Sequence, residues 1–340
     1  MILLVLALAV PASAMDFTAP EVPQAGQSWM PDRTDSFGQG MLEILREAAS
    51  ALTPELAESG RTCFRLLAAA LLLSLLRGAG GMSGRAVSLA GTVAVAGLLL
   101  QPTSSMIRLT AETVTRLSDY GKLLLPVMTG AMAAQGGVTA SAALYAGTAF
   151  FDAVLSAAVA GLLVPLIYFF LALSVANAAL GEGLLQQLAG FVKWLVTWLL
   201  RLILYLFTGY LAVTGVVSGS ADAAALRAAK LTISNMVPVV GGILADASET
   251  VLVSAGLMKN AAGIYGLLAV TAVWIGPVLK IGVLYLLLKL TGAVCGTFTD
   301  GGTARMIQDF SAAMGLLLAM TGTVSLLLMV STVCFLKGAG

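Results

Sequence analysis

The chain predicts an all-α fold, a polytopic helical bundle with about six to seven membrane spans, joined by interfacial amphipathic helices and by broken or re-entrant helices. Three observations lead there. Of 340 residues, 59% are hydrophobic and only 10% are charged, where a soluble domain carries about 25% charged residues. Apolar runs recur at lengths near the roughly 20 residues a helix needs to cross hydrocarbon. The stretches between them repeat apolar side chains at helical spacing.

Composition also narrows the chemistry. Lys+Arg 18 against Asp+Glu 17 leaves a net charge of +1, which offers nothing to nucleic acid. There is no histidine, so the commonest general base and metal ligand are missing. Cys63, Cys295 and Cys334 stand singly in or beside apolar runs, where cysteine packs as a small hydrophobe. The chain contains no phosphate-binding G-x-x-x-x-G-K-[ST], no G-x-S-x-G elbow and, without histidine, no zinc-binding H-E-x-x-H. The expectation is a non-enzyme with no cofactor and no metal.

In chain order, Ile2 to Val10 is an apolar run too short for a span, followed by Pro11 and the small residues Ala12-Ser13-Ala14. Residues 1–14 therefore read as a signal peptide, although its first residues lack the usual Lys or Arg. Residues 15–62 read as an extracytoplasmic tether, Pro-rich and without a core, leading into an amphipathic helix on Phe37, Met41, Leu45, Ala48 and Leu52. Thr53-Pro54-Glu55 reads as the cap and first turn of a new helix.

Residues 63–103 form a first transmembrane hairpin, Phe64 to Gly81 and Ala86 to Leu100, with Arg77 and Arg85 in its loop. Positive charge on that loop places it inside. Later spans are Val138 to Leu162 continuing to Leu180, Trp194 to Val217, Ala261 to Leu290 and Ala312 to Leu336. Gly292-x-x-x-Gly296 marks a helix contact.

Three further stretches read as amphipathic helices lying in the interface plane or docking a partner. Ser104 to Lys122 sets Ile107, Ala111, Val114 and Leu117 against Arg108, Glu112, Arg116 and Asp119. Leu184, Leu185, Leu188 and Val192 oppose Glu182, Gln186, Gln187 and Lys193, and Ser220 to Ser234 sets Leu226 and Ile233 against Asp222, Arg227 and Lys230.

A shift of 112 residues lays Pro126-Val127-x-x-Gly130 on Pro238-Val239-x-x-Gly242, Pro165 on Pro277 and Gly97 on Gly209. Two readings fit: an internal duplication, with units at 104–193 and 194–340, or coincidence in an alanine-rich chain. Proline and glycine at membrane depth imply broken helices, which transporters place at their central sites. Pro238, Gly241 and Gly242, with Asp246 and Glu249 on the helix face that follows, are candidates to line or gate a lumen. Asp152 and Lys280 are candidates as well, because ionisable groups within apolar runs face a bundle interior or a water path. The alternatives are structural: a buried pairing for these two, loop-end acids for Asp246 and Glu249, and snorkelling side chains for Arg201 and Lys289.

Thr208 to Leu252 (TGYLAVTGVVSGSADAAALRAAKLTISNMVPVVGGILADASETVL), with KNAAGIYGLLAV from Lys259 and YLLLKLTGAVCG from Tyr285, resembles the stage III sporulation protein AE family of endospore-forming bacteria. The family has no short catalytic signature, so the resemblance carries over no active-site residue. It implies a polytopic, permease-like component of the secretion-like complex that links mother cell and forespore. The protein would sit in the mother-cell-derived membrane around the forespore. Its partners would be other proteins of the same sporulation operon and a forespore-membrane protein. On this basis the function expected is a channel component required for forespore development. A structural membrane anchor for the ring proteins, or a stand-alone secondary transporter of a small solute, are the alternatives.

Overall fold

The computed structural model describes residues 19–32, 36–78, 84–181, 183–236, 241–299 and 301–337, with backbone alone for 77–78, 84–88, 214–236 and 241–259. The regular elements of the described residues are helices: α1 (Gln24–Gln27), α2 (Phe37–Gly78), α3 (Gly84–Ala134), α4 (Val138–Ala158), a π-helical turn (Val159–Leu163), α5 (Val164–Leu180), α6 (Gly183–Met236), α7 (Gly241–Cys295) and α8 (Gly301–Lys337). Among the described residues, six stretches are long and apolar enough to cross a membrane: Phe37–Leu76, Leu89–Ala134, Val138–Leu180, Gly183–Val213, Asn260–Cys295 and Gly301–Lys337. The all-α polytopic bundle read from the sequence is the fold observed.

The helices are longer than a bilayer is thick. At about 1.5 Å per residue, the 42 residues of α2 span about 63 Å and the 51 of α3 about 76 Å, against about 30 Å of hydrocarbon. At the centre stands the α7–α8 hairpin, with α2 packed on α7 and α3 on both helices of the hairpin. Its contacts fix the alignment. Leu336 lies beside Gly263, Trp274 beside Gly322, Tyr285 beside Gly315, and Gln308 beside Gly292. The Gly292 contact expected from its spacing is therefore present. More than half of the most apolar window of α7 and of α8 is buried by protein, against 17% in α2. Much of the hydrophobicity of α7 and α8 is thus a protein core rather than a lipid-facing coat.

Four readings are corrected. The outer segment is not a bare tether: Val22 is buried, Gly26 abuts Val273 and Trp29 abuts Gly276, so residues 19–32 pack on α7. No new helix begins at Thr53-Pro54-Glu55, because α2 runs through Pro54. Pro126 likewise lies inside α3, which runs to Ala134 before a turn at 135–136, so no break occurs at Pro126–Gly130. Proline in a long apolar helix frees a carbonyl one turn back, and packed neighbours make that tolerable. Finally, the amphipathic stretches do not lie apart in an interface plane: Ser104–Lys122 is the middle of α3 and residues 183–193 open α6.

The buried faces also shift in register. On α2 the inward stripe is Gly40, Ile44 and Ala48, with Leu45 and Leu52 outside. Ile44 forms a small core with Leu268 and Ala272 of α7, joined by Trp29 and Met30. Gly40 lets Leu268 approach the α2 backbone, since a Cβ there would lie 2.7 Å from the Leu268 Cδ1 methyl and push it aside. On α3 the inward side chains are Ile107, Val114 and Leu117, as the pattern indicated. On α6 they are Ala189, Val192 and Val196, while Leu184 and Leu188 face outward.

A close approach holds α4 to α6. A Cβ on Gly147 would fall inside the Tyr210 ring, and the Tyr210 hydroxyl donates to the Ala143 carbonyl at 2.8 Å. Gly147→Val should lower stability by about 1–3 kcal/mol through overpacking, read as a lower melting temperature of the purified protein. An unchanged melting temperature would refute the contact.

Candidate functional site

Of the residues singled out, Pro238 lies outside the described residues. Gly241, Gly242, Asp246 and Glu249 fall on the first turns of α7, but their side chains are likewise outside the description. Residues 1–14 are outside it too, and Ser220–Ser234 is described only as backbone of α6. Asp152 and Lys280 are fully described, and they occupy two separate places.

Asp152 sits on α4 and is 4% exposed. Ser118 of α3, itself buried, donates its hydroxyl to Asp152 Oδ2 at 2.6 Å. Oδ1 is buried without a hydrogen-bond partner among the described residues. A buried carboxylate with one oxygen unsatisfied is costly, and such exceptions concentrate at functional positions. Immediately after Ala158 the chain makes a five-residue π-helical turn, Val159–Leu163, which ends two residues before Pro165. The wider turn accommodates a proline that would otherwise clash with the carbonyl four residues back. Nearby, Thr148 of α4 and Ser331 of α8 share a buried hydrogen bond.

Lys280 lies on the opposite side of the core, where α7 faces α2 and α3. Its ammonium is 3.6 Å from Glu55 Oε1 of α2, with the Lys280 side chain about half exposed and that of Glu55 largely covered. The pair closes one wall of a recess of about 400 Å³. Helical spacing builds each wall. Glu55, Ser59, Thr62 and Arg65 follow one face of α2; Gly97, Gln101 and Ser105 follow one face of α3; Lys280 and Leu284 follow one face of α7. Glu58 adds a second acid. The recess therefore holds carboxylates, cations and neutral hydrogen-bonding groups between helices that carry membrane-span composition. Gly97 is small and open on its face, which leaves room there.

Above this level on α3 runs an exposed charged ladder. Arg108 and Glu112 lie 3.7 Å apart, Glu112 and Arg116 3.3 Å, and Asp119 and Lys122 2.8 Å. Such a ladder cannot face hydrocarbon at depth, so this face meets water or protein. Buried beneath it, the hydroxyls of Thr103, Thr110 and Tyr120 have no partner among the described residues. The sequence reading noticed the ladder and missed both the buried hydroxyls and the acids Glu55 and Glu58. In the sequence Glu55 reads only as a first-turn acid; the face it shares with Thr62 and Arg65 is its signal.

Long apolar helices around a buried hairpin, with a polar recess and a buried carboxylate, define a multi-pass membrane protein. Residues 33–339 match the family described as Stage III sporulation protein AE, and the chain belongs to that family. It is similar to the Stage III sporulation protein AE of Bacillus subtilis (strain 168), 25% identical over 220 residues, covering 65% of this chain and 55% of that relative. The chain thus spans little more than half the length of that relative. No solved structure matches it.

Proposed function

We propose that this chain is the polytopic membrane component of the sporulation complex between mother cell and forespore, acting in the mother-cell-derived membrane that surrounds the forespore. In this reading it is permease-like and lines or gates a conduit, and it works with other proteins of the same operon and with a forespore-membrane partner. The observation that supports it best is the recess of Glu55, Glu58, Gln101 and Lys280, a water-compatible space between helices of span-like composition. Polar groups in that setting mark a path for polar species. Family membership supports the sporulation role. The chemistry belongs to passage and gating rather than to catalysis. The segment around Pro238, which its proline and glycines mark as a helix break in the sequence, belongs with Gly241, Gly242, Asp246 and Glu249 to the same proposal as a gate.

A second reading is a structural anchor for the ring proteins. The α3 ladder from Arg108 to Lys122 favours it, since alternating charges on an exposed face suit a protein partner.

Thiol accessibility separates the two. With Cys63, Cys295 and Cys334 replaced, single cysteines at Ser59, Gln101 and Ser105, and along 234–249, would be probed in sporulating cells with a membrane-impermeant reagent. A conduit predicts labelling at Ser59, Gln101 and Ser105 that depends on the companion proteins. Protection at all of these positions, with and without companions, would leave the anchor.

A further inference from the structure

A second recess, of about 530 Å³, opens between α6, α7 and α8 and differs in charge from the first. Lys193, Lys289, Tyr285, Gln308 and Ser311 line it, and among the described residues no carboxylate does. Lys289 Nζ donates to the Tyr285 hydroxyl at 3.3 Å and lies 5.5 Å from that ring's centre, so the ammonium is held over the recess wall rather than free to swing. Among the described residues neither lysine has an acid within ion-pair distance. Asp309, next to Gln308, accepts from the Ser174 hydroxyl of α5 at 2.7 Å and is near enough for its charge to be felt by Lys193 and Arg305, and Arg305 is hydrogen-bonded to Gln186 at 2.6 Å, which leaves Lys289 the less neutralised of the two lysines.

The position of this recess is as telling as its lining. Lys289 is within two turns of the end of α7 at Cys295, Gln308 within two turns of the start of α8, and Lys193 within three of the start of α6. Ser74, near the end of α2, donates to the Phe298 carbonyl at 2.7 Å, which brings the end of α2, with the backbone of Arg77, to the same end of the bundle. Concentrated Lys and Arg at one end mark the cytoplasmic side. Beside Lys193 the exposed rings of Phe191, Trp194 and Trp198 follow one another at centroid distances of 5.8 and 6.1 Å. Exposed tryptophan at a helix end lies at headgroup level.

We propose that this recess binds a phosphate-bearing anion, held by the two ammonium groups and by hydrogen bonds from Tyr285 and Gln308. Basic recesses between spans on the cytoplasmic side suit anionic headgroups, and a free phosphate would use the same donors. The proposal is independent of whether the chain conducts.

The full chain, purified into phosphatidylcholine nanodiscs, tests it by thermal melting in two arms. One titrates phosphatidylglycerol into the bilayer; the other adds inorganic phosphate to phosphatidylcholine alone. Stabilisation in the first arm alone assigns a lipid headgroup, and stabilisation by inorganic phosphate assigns a soluble anion. Either must weaken by about 10-fold in apparent affinity in Lys193→Gln/Lys289→Gln. Should the double variant fail to fold, Lys289→Met alone must show a weaker form of the same loss. Arg201→Gln, an exposed cation outside the recess, must respond like the unaltered chain. No stabilisation in either arm, or equal stabilisation in the lysine variants, overturns the proposal.

Discussion

Lys280→Glu should abolish sporulation while the protein still accumulates in the membrane. Lys280 faces Glu55 at 3.6 Å, with Glu58 lining the same recess. An ion pair this exposed contributes only about 0–1 kcal/mol, so Lys280→Met should leave stability near its original value. Reversal is different in kind. It sets a third carboxylate beside Glu55 and Glu58, and the repulsion, screened by the same exposure, is on the order of 1 kcal/mol and works against the seating of α2 on α7. Heat-resistant spores should fall, because the recess loses its cation and gains a third acid. Glu55→Lys combined with Lys280→Glu should recover most of that loss, because the pair is restored with its polarity exchanged. Normal spore counts from Lys280→Glu at normal protein level would remove the recess from the mechanism. A double variant no better than the single would show that the Glu55 contact is incidental.

Lys280 was legible because a charge inside an apolar run is conspicuous. Its partner was not, because Glu55 lies far off in sequence, within a segment that reads as an outer helix start. The same holds for Asp152, whose partner Ser118 is a common residue with no distinguishing pattern. The spans were legible from length and hydropathy, since the bilayer requirement is nearly one-dimensional. Helix ends were harder. Pro54 and Pro126 read as breaks from local sterics, yet surrounding helices compensate for the lost backbone bond. Register on α2 was ambiguous because Ile44 and Leu45 are adjacent apolar residues, and period alone permits either to face inward. The close approach of Leu268 to Gly40 decides it. On α6 the strongest apolar residues, Leu184 and Leu188, face outward because lipid-facing surfaces are as apolar as cores, so hydrophobicity does not point to the interior there. The sequence therefore marked where membrane helices lie better than which of their faces is buried.

Asp152→Asn should separate charge from structure. Asparagine keeps the shape and an acceptor oxygen for the Ser118 hydroxyl, and it removes a buried charge whose second oxygen is unsatisfied. Loss of the buried charge is offset by an amide NH2 at the Oδ1 position, where no partner stands among the described residues, so the variant should melt close to the original temperature. If the carboxylate serves passage or gating, sporulation should nonetheless fail. Ser118→Ala works in the opposite direction. It leaves the carboxylate with neither oxygen bonded and should cost about 1.5–3 kcal/mol, the range for a hydrogen bond to a charged group. Asp152→Leu would strand the Ser118 hydroxyl and force a larger side chain between α3 and α4, lowering melting temperature and function together. The informative comparison is thus between asparagine and leucine. A stable, sporulation-defective Asn variant ties the charge to the conduit, because packing and the Ser118 bond are intact. A fully functional Asn variant makes Asp152 a structural acceptor for Ser118, and the conduit reading then rests on the Lys280 recess alone.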